Sequence, residues 1–462
     1  RQRQMCIRDR LTIQSNPRRV CSGLTRRNLL QIGGAGLFGL SLENVLAAEE
    51  ASVTLPHARA KSVLFLFLFG GPSQLETFDM KPDAPADYRG IWRPIRSNVT
   101  GMEMTELFPR QAKIADKFSI VRSFYHNNGD HFAGAHYMLT GRGGVNGANT
   151  KGRFPSIGSI ATWAAGSRDP SMPAYVSVPF AGSVGRRPGY FAANFLGVHH
   201  DPFITGGDPN NNQFQVHNLN LPSKMSVARL EDRHALNANL DRLERVADSR
   251  AFDSLDEFDR KAYQLVVGAA ARKAFDLSRE DPRTRDRYGR NTWGQSTLLA
   301  RRLVEAGSTF VTVHYGGWDH HWNLEGGMNN FLPKVDSAVS ALFEDLSQSG
   351  RLENVLVIMC GEFGRTPRMN NGHDGQGTPG RDHWGRAMFV LMGGGGVQGG
   401  RIIGSTNHLG EEPKDRPLTM GDFHATIYHV LGIDPHISFL DHSGRPVHAV
   451  EPVSYTHLTL PT

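Results

Sequence analysis

Val63-Leu64-Phe65-Leu66-Phe67-Leu68-Phe69 is an unbroken apolar run closed by Gly70-Gly71-Pro72. A run of strand length with no polar alternation, stopped by Gly-Gly-Pro, reads as a β-strand buried on both faces, as in the interior of a parallel sheet. The pattern returns at 310–314, 355–359 and 389–392, and more weakly at 119–121. Helical stretches lie between the strands. In 297–306, Leu298, Leu299, Leu303 and Val304 fall at helical spacing before Gly307. In 332–346, Val335, Val339, Leu342, Phe343 and Leu346 share one stripe. Strand, helix, strand alternation predicts an α/β fold with a central, mainly parallel sheet, crossover helices, and the first strand in the middle of the sheet. The stretch 223–286, rich in Arg, Asp, Glu, Ala and Leu at helical spacing, reads as a helical insertion. The stretch 181–220, heavy in Gly, Asn, Pro and His, reads as surface loops.

The composition fits this architecture. The chain has 462 residues, 39% hydrophobic and 21% charged, which suffices for a sizeable core. No run approaches the roughly 20 apolar residues of a membrane-spanning helix, so a polytopic membrane protein is excluded. The formal charge of +6 resides in the leader, where eight Arg in 1–48 face only Asp9 and Glu43. The rest of the chain is electrically balanced, which argues against a nucleic-acid-binding body.

Thr25-Arg26-Arg27-Asn28-Leu29-Leu30 precedes a mildly apolar, glycine-rich stretch that ends near Val45-Leu46-Ala47-Ala48. These are the parts of a signal peptide. The arginine pair resembles a twin-arginine (Tat) export signal, which implies the Tat machinery as a partner, a periplasmic or extracellular location, and no membrane span in the mature chain. Cys6 and Cys21 fall in the leader, leaving Cys360 alone, so the mature protein relies on its core or on metal rather than on an intramolecular disulfide. The extreme ends, around Met5-Cys6-Ile7-Arg8-Asp9-Arg10 and at 453–462, resemble translated sequencing-adapter tails and are set apart from the fold.

Open parallel sheets bind ligands beyond the carboxyl ends of their strands. Glu76 and Asp79 follow the first run. Asp319, His320 and His321 follow 310–314, and Glu362 and Arg365 follow 355–359. A glycine-bounded loop adds Gly380-Arg381-Asp382-His383-Trp384, and His126, Asp130, His131 and His136 lie after 119–121. Carboxylates and imidazoles recurring at strand ends form a ligand set for Zn or Mn, with the carboxylates also accepting Mg or Ca.

Taken together, six segments carry a family resemblance. They are Gly70-Gly71-Pro72-Ser73-Gln74-Leu75-Glu76-Thr77-Phe78-Asp79, Met138-Leu139-Thr140-Gly141-Arg142, Ala300-Arg301-Arg302-Leu303-Val304-Glu305-Ala306-Gly307, Gly316-Gly317-Trp318-Asp319-His320-His321, Gly361-Glu362-Phe363-Gly364-Arg365-Thr366-Pro367 and Gly380-Arg381-Asp382-His383-Trp384. The chain resembles an exported bacterial family known as domain of unknown function 1501, placed in the alkaline phosphatase–sulfatase superfamily. The resemblance covers about 60–440 and implies one sulfatase-like, three-layer α/β domain. Leu139-Thr140-Gly141-Arg142 resembles the end of the sulfatase nucleophile motif, and the sulfatase spacing places the nucleophile position on His131. Glu362-Phe363-Gly364 stands where the superfamily has Asp-His-Gly, with the carboxylate kept and the imidazole lost. Asp319, His321 and His383 are similar to the superfamily's other metal position, and Asp79 or Glu76 stands near its first-strand carboxylate.

The resemblance therefore implies a metal-dependent hydrolase of sulfate or phosphate esters, with extracellular polysaccharide as one source of substrate. One or two divalent ions, Zn, Mn, Mg or Ca, would be held by Asp79, Asp319, His321, Glu362 and His383. With no hydroxyl at the nucleophile position, His131 would serve as ligand or general base, or Ser73 or Thr77 would take the nucleophile's place. Arg365 and Arg142 would hold the anionic group. The competing reading is an exported binding protein that keeps the fold and has lost hydrolysis.

Overall fold

The opening apolar run forms β1, Ser62–Leu68, buried at every position. A computed structural model describes residues 58–145, 153–182, 189–216, 219, 229, 265, 268–372 and 377–451. The leader, the 453–462 tail and most of the expected 223–286 insertion lie outside these residues. Among the described residues, β1 joins a sheet with β2 (Ser119–Phe124), β3 (Tyr175–Val178), β4 (Phe203–Ile204), β5 (Phe310–Tyr315), β6 (Val355–Cys360), β7 (Met388–Gly393) and β8 (Ile402–Ile403). Their spatial order is β8-β2-β7-β6-β1-β5-β3-β4. β1 is interior and pairs in parallel with β5 and β6, Phe67 lying opposite both His314 and Cys360. β3 runs parallel to β5 and β4, and β8 to β2. β7 is antiparallel to both its neighbours, β6 and β2. The sheet is thus mainly parallel, as the alternation predicts.

Side-chain alternation along β1 divides the layers. Leu64, Leu66 and Leu68 enter a core with Leu298 and Leu303 of α5 (Thr292–Ala306) and Leu332, Val339 and Leu342 of α6 (Leu324–Gln348). On the opposite face, the Phe65 ring lies 6.5 Å from that of Phe423 in α7 (Met420–Val430), and Phe124 lies 5.7 Å from the same ring. Helices on both faces make three layers. Each of these fully buried Leu and Phe side chains contributes about 1.5–3 kcal/mol relative to exposure. Among the described residues, the remaining α-helices are α1 (His131–Thr140), α2 (Ile157–Ala165), α3 (Ala269–Phe275) and α4 (Pro282–Tyr288). α5 begins five residues before the expected start at 297 because Asn291 caps it, accepting from Gly294 N at 3.0 Å, and it ends at Gly307, whose φ is +124°. No helix among the described residues is long and apolar enough to cross a membrane.

The described residues of the expected loops at 181–220 contain one sheet element, the two-residue β4, among single turns of 3-10 helix. β4 and the four-residue β3 are too short to produce a periodic signal. Both add to the sheet because β5 offers a parallel edge to β3, and β3 one to β4.

Several histidines are buried where protonation is disfavoured. His424 of α7 contacts the Met138 carbonyl of α1 at 2.7 Å, and His136 contacts the Arg142 carbonyl at 2.8 Å. Burial pushes the imidazoles of His136, His314 and His424 down to about 4. The unfolded chain takes up these protons near pH 6.5, before the folded one does. The stability they confer is therefore present above pH 6.5 and is lost as the pH falls toward 4, by up to about 4 kcal/mol per pH unit for three protons. Urea midpoints measured from pH 7 to 4.5 should fall steeply, and a flat profile would contradict these burials.

Candidate metal centre

The strand order β6-β1-β5 brings three loops together at one edge of the sheet: 69–72 after β1, 316–321 after β5 and 361–365 after β6. The contact is close because Gly70 has no side chain. Its φ is +117°, and a Cβ there would lie 2.7 Å from the backbone nitrogens of Trp318 and Asp319. The Gly70 amide donates to both Glu362 carboxylate oxygens, at 2.9 and 3.1 Å. β7 runs in reverse, so the loop that enters it, carrying Asp382 and His383, arrives at this same edge. His383 also pairs with Arg365 in a two-residue antiparallel bridge. His131 is the first residue of α1, whose N-cap Asp130 accepts from Ala133 N at 2.8 Å.

Four side chains meet there. Asp319 Oδ2 is 3.0 Å from His131 Nε2, and Asp319 Oδ1 is 3.0 Å from both His321 Nε2 and His383 Nε2. The two Nε2 atoms of His321 and His383 are themselves 3.0 Å apart. One donor atom from each of His131, Asp319 and His383 falls within 4.8 Å of the others. The other ring nitrogens are all engaged. His131 Nδ1 faces Glu362 Oε1 at 2.6 Å, His321 Nδ1 faces Asp382 Oδ1 at 2.6 Å, and His383 Nδ1 faces the Gly129 carbonyl at 2.7 Å. Each acceptor places the neutral ring's proton on Nδ1 and leaves the Nε2 lone pair directed inward. Three imidazole lone pairs and a carboxylate then converge on one region, an arrangement that repels itself without a cation.

The electrostatics agree. Burial alone would lower His131, but its bonds to Asp319 and Glu362 lift it to about 9, so where no cation competes for Nε2 the ring is an imidazolium that donates one N–H to each carboxylate. Burial would raise Asp319, and its bonds to His131, His383 and Arg365 overcome this and hold the carboxyl well below the ordinary range.

The other residues singled out in the sequence occupy different places. Arg365 is 1% exposed. Its guanidinium donates to Asp319 Oδ1 at 2.6 Å and to the carbonyls of Gly70, Gly71, Trp318 and Arg381, so it anchors Asp319 from within the fold rather than facing an incoming anion. Glu362 stands behind His131, its oxygens taken by Gly70 and His131 Nδ1. Asp79 is not in the cluster. It pairs with Lys81 at 3.1 Å, accepts from Thr406 and faces Arg122, because the chain turns away from the sheet edge after Pro72. Ser73 is fully buried and donates to Glu76, which Arg381 holds in a wholly buried ion pair, so its hydroxyl is committed. The Thr77 hydroxyl is likewise bonded to the Ser73 carbonyl at 2.8 Å. Arg142 reaches Glu451 and the His448 carbonyl, both at 2.6 Å, which fastens the end of α1 to the 438–448 hairpin. Sequence reasoning missed Asp382 as the orienting partner of His321, although it directly precedes His383 in a quoted motif.

Comparisons with known proteins were made on this basis. None of the curated protein sequences matches. The PsFucS1 sulfatase from Pseudoalteromonas sp. is 15% identical, with 88% of this chain and 72% of that chain covered and a TM-score of 0.38. A protein in the alkaline phosphatase superfamily from Vibrio parahaemolyticus is 11% identical, with 82% and 68% covered and a TM-score of 0.39. The C-terminal periplasmic domain of EcEptC from Escherichia coli, in complex with Zn, is 11% identical, with 82% and 86% covered and a TM-score of 0.35. A family described as "Protein of unknown function (DUF1501)" matches residues 60–457, and the chain belongs to that family.

Proposed function

We propose that this protein is an exported, metal-dependent hydrolase of sulfate or phosphate esters, with one divalent ion held by His131, Asp319, His321 and His383. The observation that carries the reading is the inward convergence of three Nε2 lone pairs on the Asp319 carboxylate, each ring fixed through its Nδ1. A nitrogen-rich set with a single carboxylate suits Zn or Mn better than Ca or Mg. Such an ion supplies positive charge toward the oxygens of an anionic ester.

The chain's own residues prepare the site. Arg365 keeps Asp319 ionised and aimed, while Glu362 and Asp382 set the rings of His131 and His321. Ser73 and Thr77 are buried and tied into their own loop, so in this reading water, rather than either hydroxyl, attacks the ester. The same commitment of Ser73, together with His131 at the nucleophile position, also favours a second reading in which the site binds anionic esters without cleaving them.

Purified protein should contain about one Zn or Mn per chain by elemental analysis, and Asp319→Asn should lose it. Metal-loaded protein should hydrolyse an aryl sulfate or aryl phosphate, and intact-mass analysis during turnover should find no modified chain. Stoichiometric metal without hydrolysis across sulfate, phosphate and phosphonate esters would select the binding reading. Absence of metal from both parent and variant would remove both readings.

The orienting role of Asp382 gives a graded expectation. Asp382→Ala should weaken metal affinity by about 10–100-fold without abolishing it, the usual scale for loss of a partner behind a ligating imidazole. An unchanged affinity, measured by competition with a chelating dye, would show that Asp382 does not orient His321.

A further inference from the structure

A cavity of about 290 Å³ lies apart from the metal centre, and no side chain of that centre lines it. Its size falls near the lower end of small-molecule sites. The apolar part of its lining is buried at Phe78, Met80 and Ala84, and the exposed Asp83 and Glu103 line it where it meets solvent. The first four of these follow the turn of the chain after Pro72. Glu103 belongs to an antiparallel hairpin that pairs Pro94–Arg96 with Glu103–Thr105.

Arg122 of β2 lines the same cavity, at a bulge in the strand. Val121 pairs with Val390 and Phe124 with Met388, so β2 carries one residue more than β7 over this stretch. An extra residue of this kind bends a strand and re-aims a side chain. The Arg122 guanidinium is poorly satisfied. Its Nη2 donates to the Glu103 carbonyl at 3.4 Å, its Nη1 stands 3.8 Å from Asp79 Oδ1, beyond hydrogen-bond reach, and its Nε is buried without a partner. Asp79 is already held by Lys81 at 3.1 Å and by Thr406. Burial pushes the guanidinium down, and the Asp79 and Glu103 charges only partly offset this. Arg365 and Arg381, by contrast, direct their donors to carboxylates and carbonyls. The Arg122 side chain is 20% exposed, so its Nη donors can be reached from the cavity.

We propose that this cavity binds a small zwitterion of amino-acid size, with its carboxylate on the Arg122 guanidinium and its ammonium at the Glu103 and Asp83 carboxylates. A planar guanidinium matches a carboxylate through parallel N–H donors. A simple anion would have to pass the two carboxylates at the mouth, and a simple cation would gain nothing from Arg122. A ligand that carries both charges, anionic end inward, fits the order in which the site presents them. Arg122 touches the Glu103 carbonyl, so the guanidinium and the carboxylate of that residue lie within the span of one small molecule. Phe78, Met80 and Ala84 would receive an apolar side chain. Nothing here draws on the metal centre, so the site does not rest on the hydrolase reading.

The test is saturation-transfer NMR with titration calorimetry on the purified protein. Alanine, valine and methionine are the probes, and acetate and methylammonium the single-charge controls. At least one amino acid should bind, about tenfold or more tighter than either control, and equally well after treatment with EDTA. Arg122→Gln should weaken it by at least about tenfold, the scale of a lost charge-assisted hydrogen bond. Asp79 keeps Lys81 and Thr406 in that variant, so its thermal midpoint should stay near the parent's and its metal content should not change. The double variant Asp83→Asn, Glu103→Gln alters only exposed side chains. It should weaken amino-acid binding by about fivefold and leave acetate binding unchanged or tighter. Failure of all three amino acids to bind the parent, or parent-like binding by Arg122→Gln, would overturn the site. Acetate that binds as tightly as the amino acids, with no effect of the double variant, would overturn the zwitterion assignment.

Discussion

Arg365 carries a full charge into a place where water does not reach, and the arrangement of the sheet edge follows from how that charge is satisfied. Its planar guanidinium donates to loop 69–72 through Gly70 and Gly71, to loop 316–321 through Trp318 and Asp319, and to the entry of β7 through Arg381. Lysine, with three donors on a single atom, could not span them. A buried guanidinium deprived of any large share of these partners would be strongly destabilising, on the order of 3–5 kcal/mol where the ionic partner is removed. The three loops are therefore held in one relative position, and Asp319, the only one of the five acceptors that carries charge, is held with them.

This latch explains why the imidazoles meet where they do. Asp319 is 43% exposed at its side chain, yet it is anchored from beneath by a residue that is almost wholly enclosed. Its open side faces His131 at the head of α1, His321 of its own loop and His383 of the loop entering β7. A second buried pair, Glu76 with Arg381, fixes the loop that carries Asp382 and His383 to the loop after β1. Both pairs impose geometry on residues that would otherwise sit on mobile connections, which a site built from loops requires.

The fold was legible because its strongest signals are local. A seven-residue apolar run and two helical stripes report burial directly, and β1, β5, β6, α5 and α6 lie where those patterns fall. The reversed direction of β7 was not legible, since strand direction leaves no mark on composition. The site was legible only as a set of candidates. His131, Asp319, His321 and His383 come together because strand order joins their loops. Asp79 has the same chemistry and the same position after a strand, and it is claimed instead by Lys81 and Thr406. Nothing in the local sequence separates these outcomes. They depend on which way the chain turns after Pro72 and on pairings more than 200 residues apart. Arg365 shows the same limit, because a guanidinium near clustered imidazoles and carboxylates reads as an anion clamp until its five acceptors are known.

The imidazole at position 131 bears most directly on chemistry. It stands at the head of α1, and its side chain points at Asp319. A hydroxyl there would need a base and an open approach to the ester. An imidazole held through Nδ1 by a fully buried carboxylate instead has one fate for its free nitrogen, which is to face whatever charge occupies the centre. The bonds to Asp319 and Glu362 accordingly raise the basicity of His131. The fully buried Glu362 behind Nδ1 and the Asp319 carboxylate before Nε2 thus fix this ring from both sides.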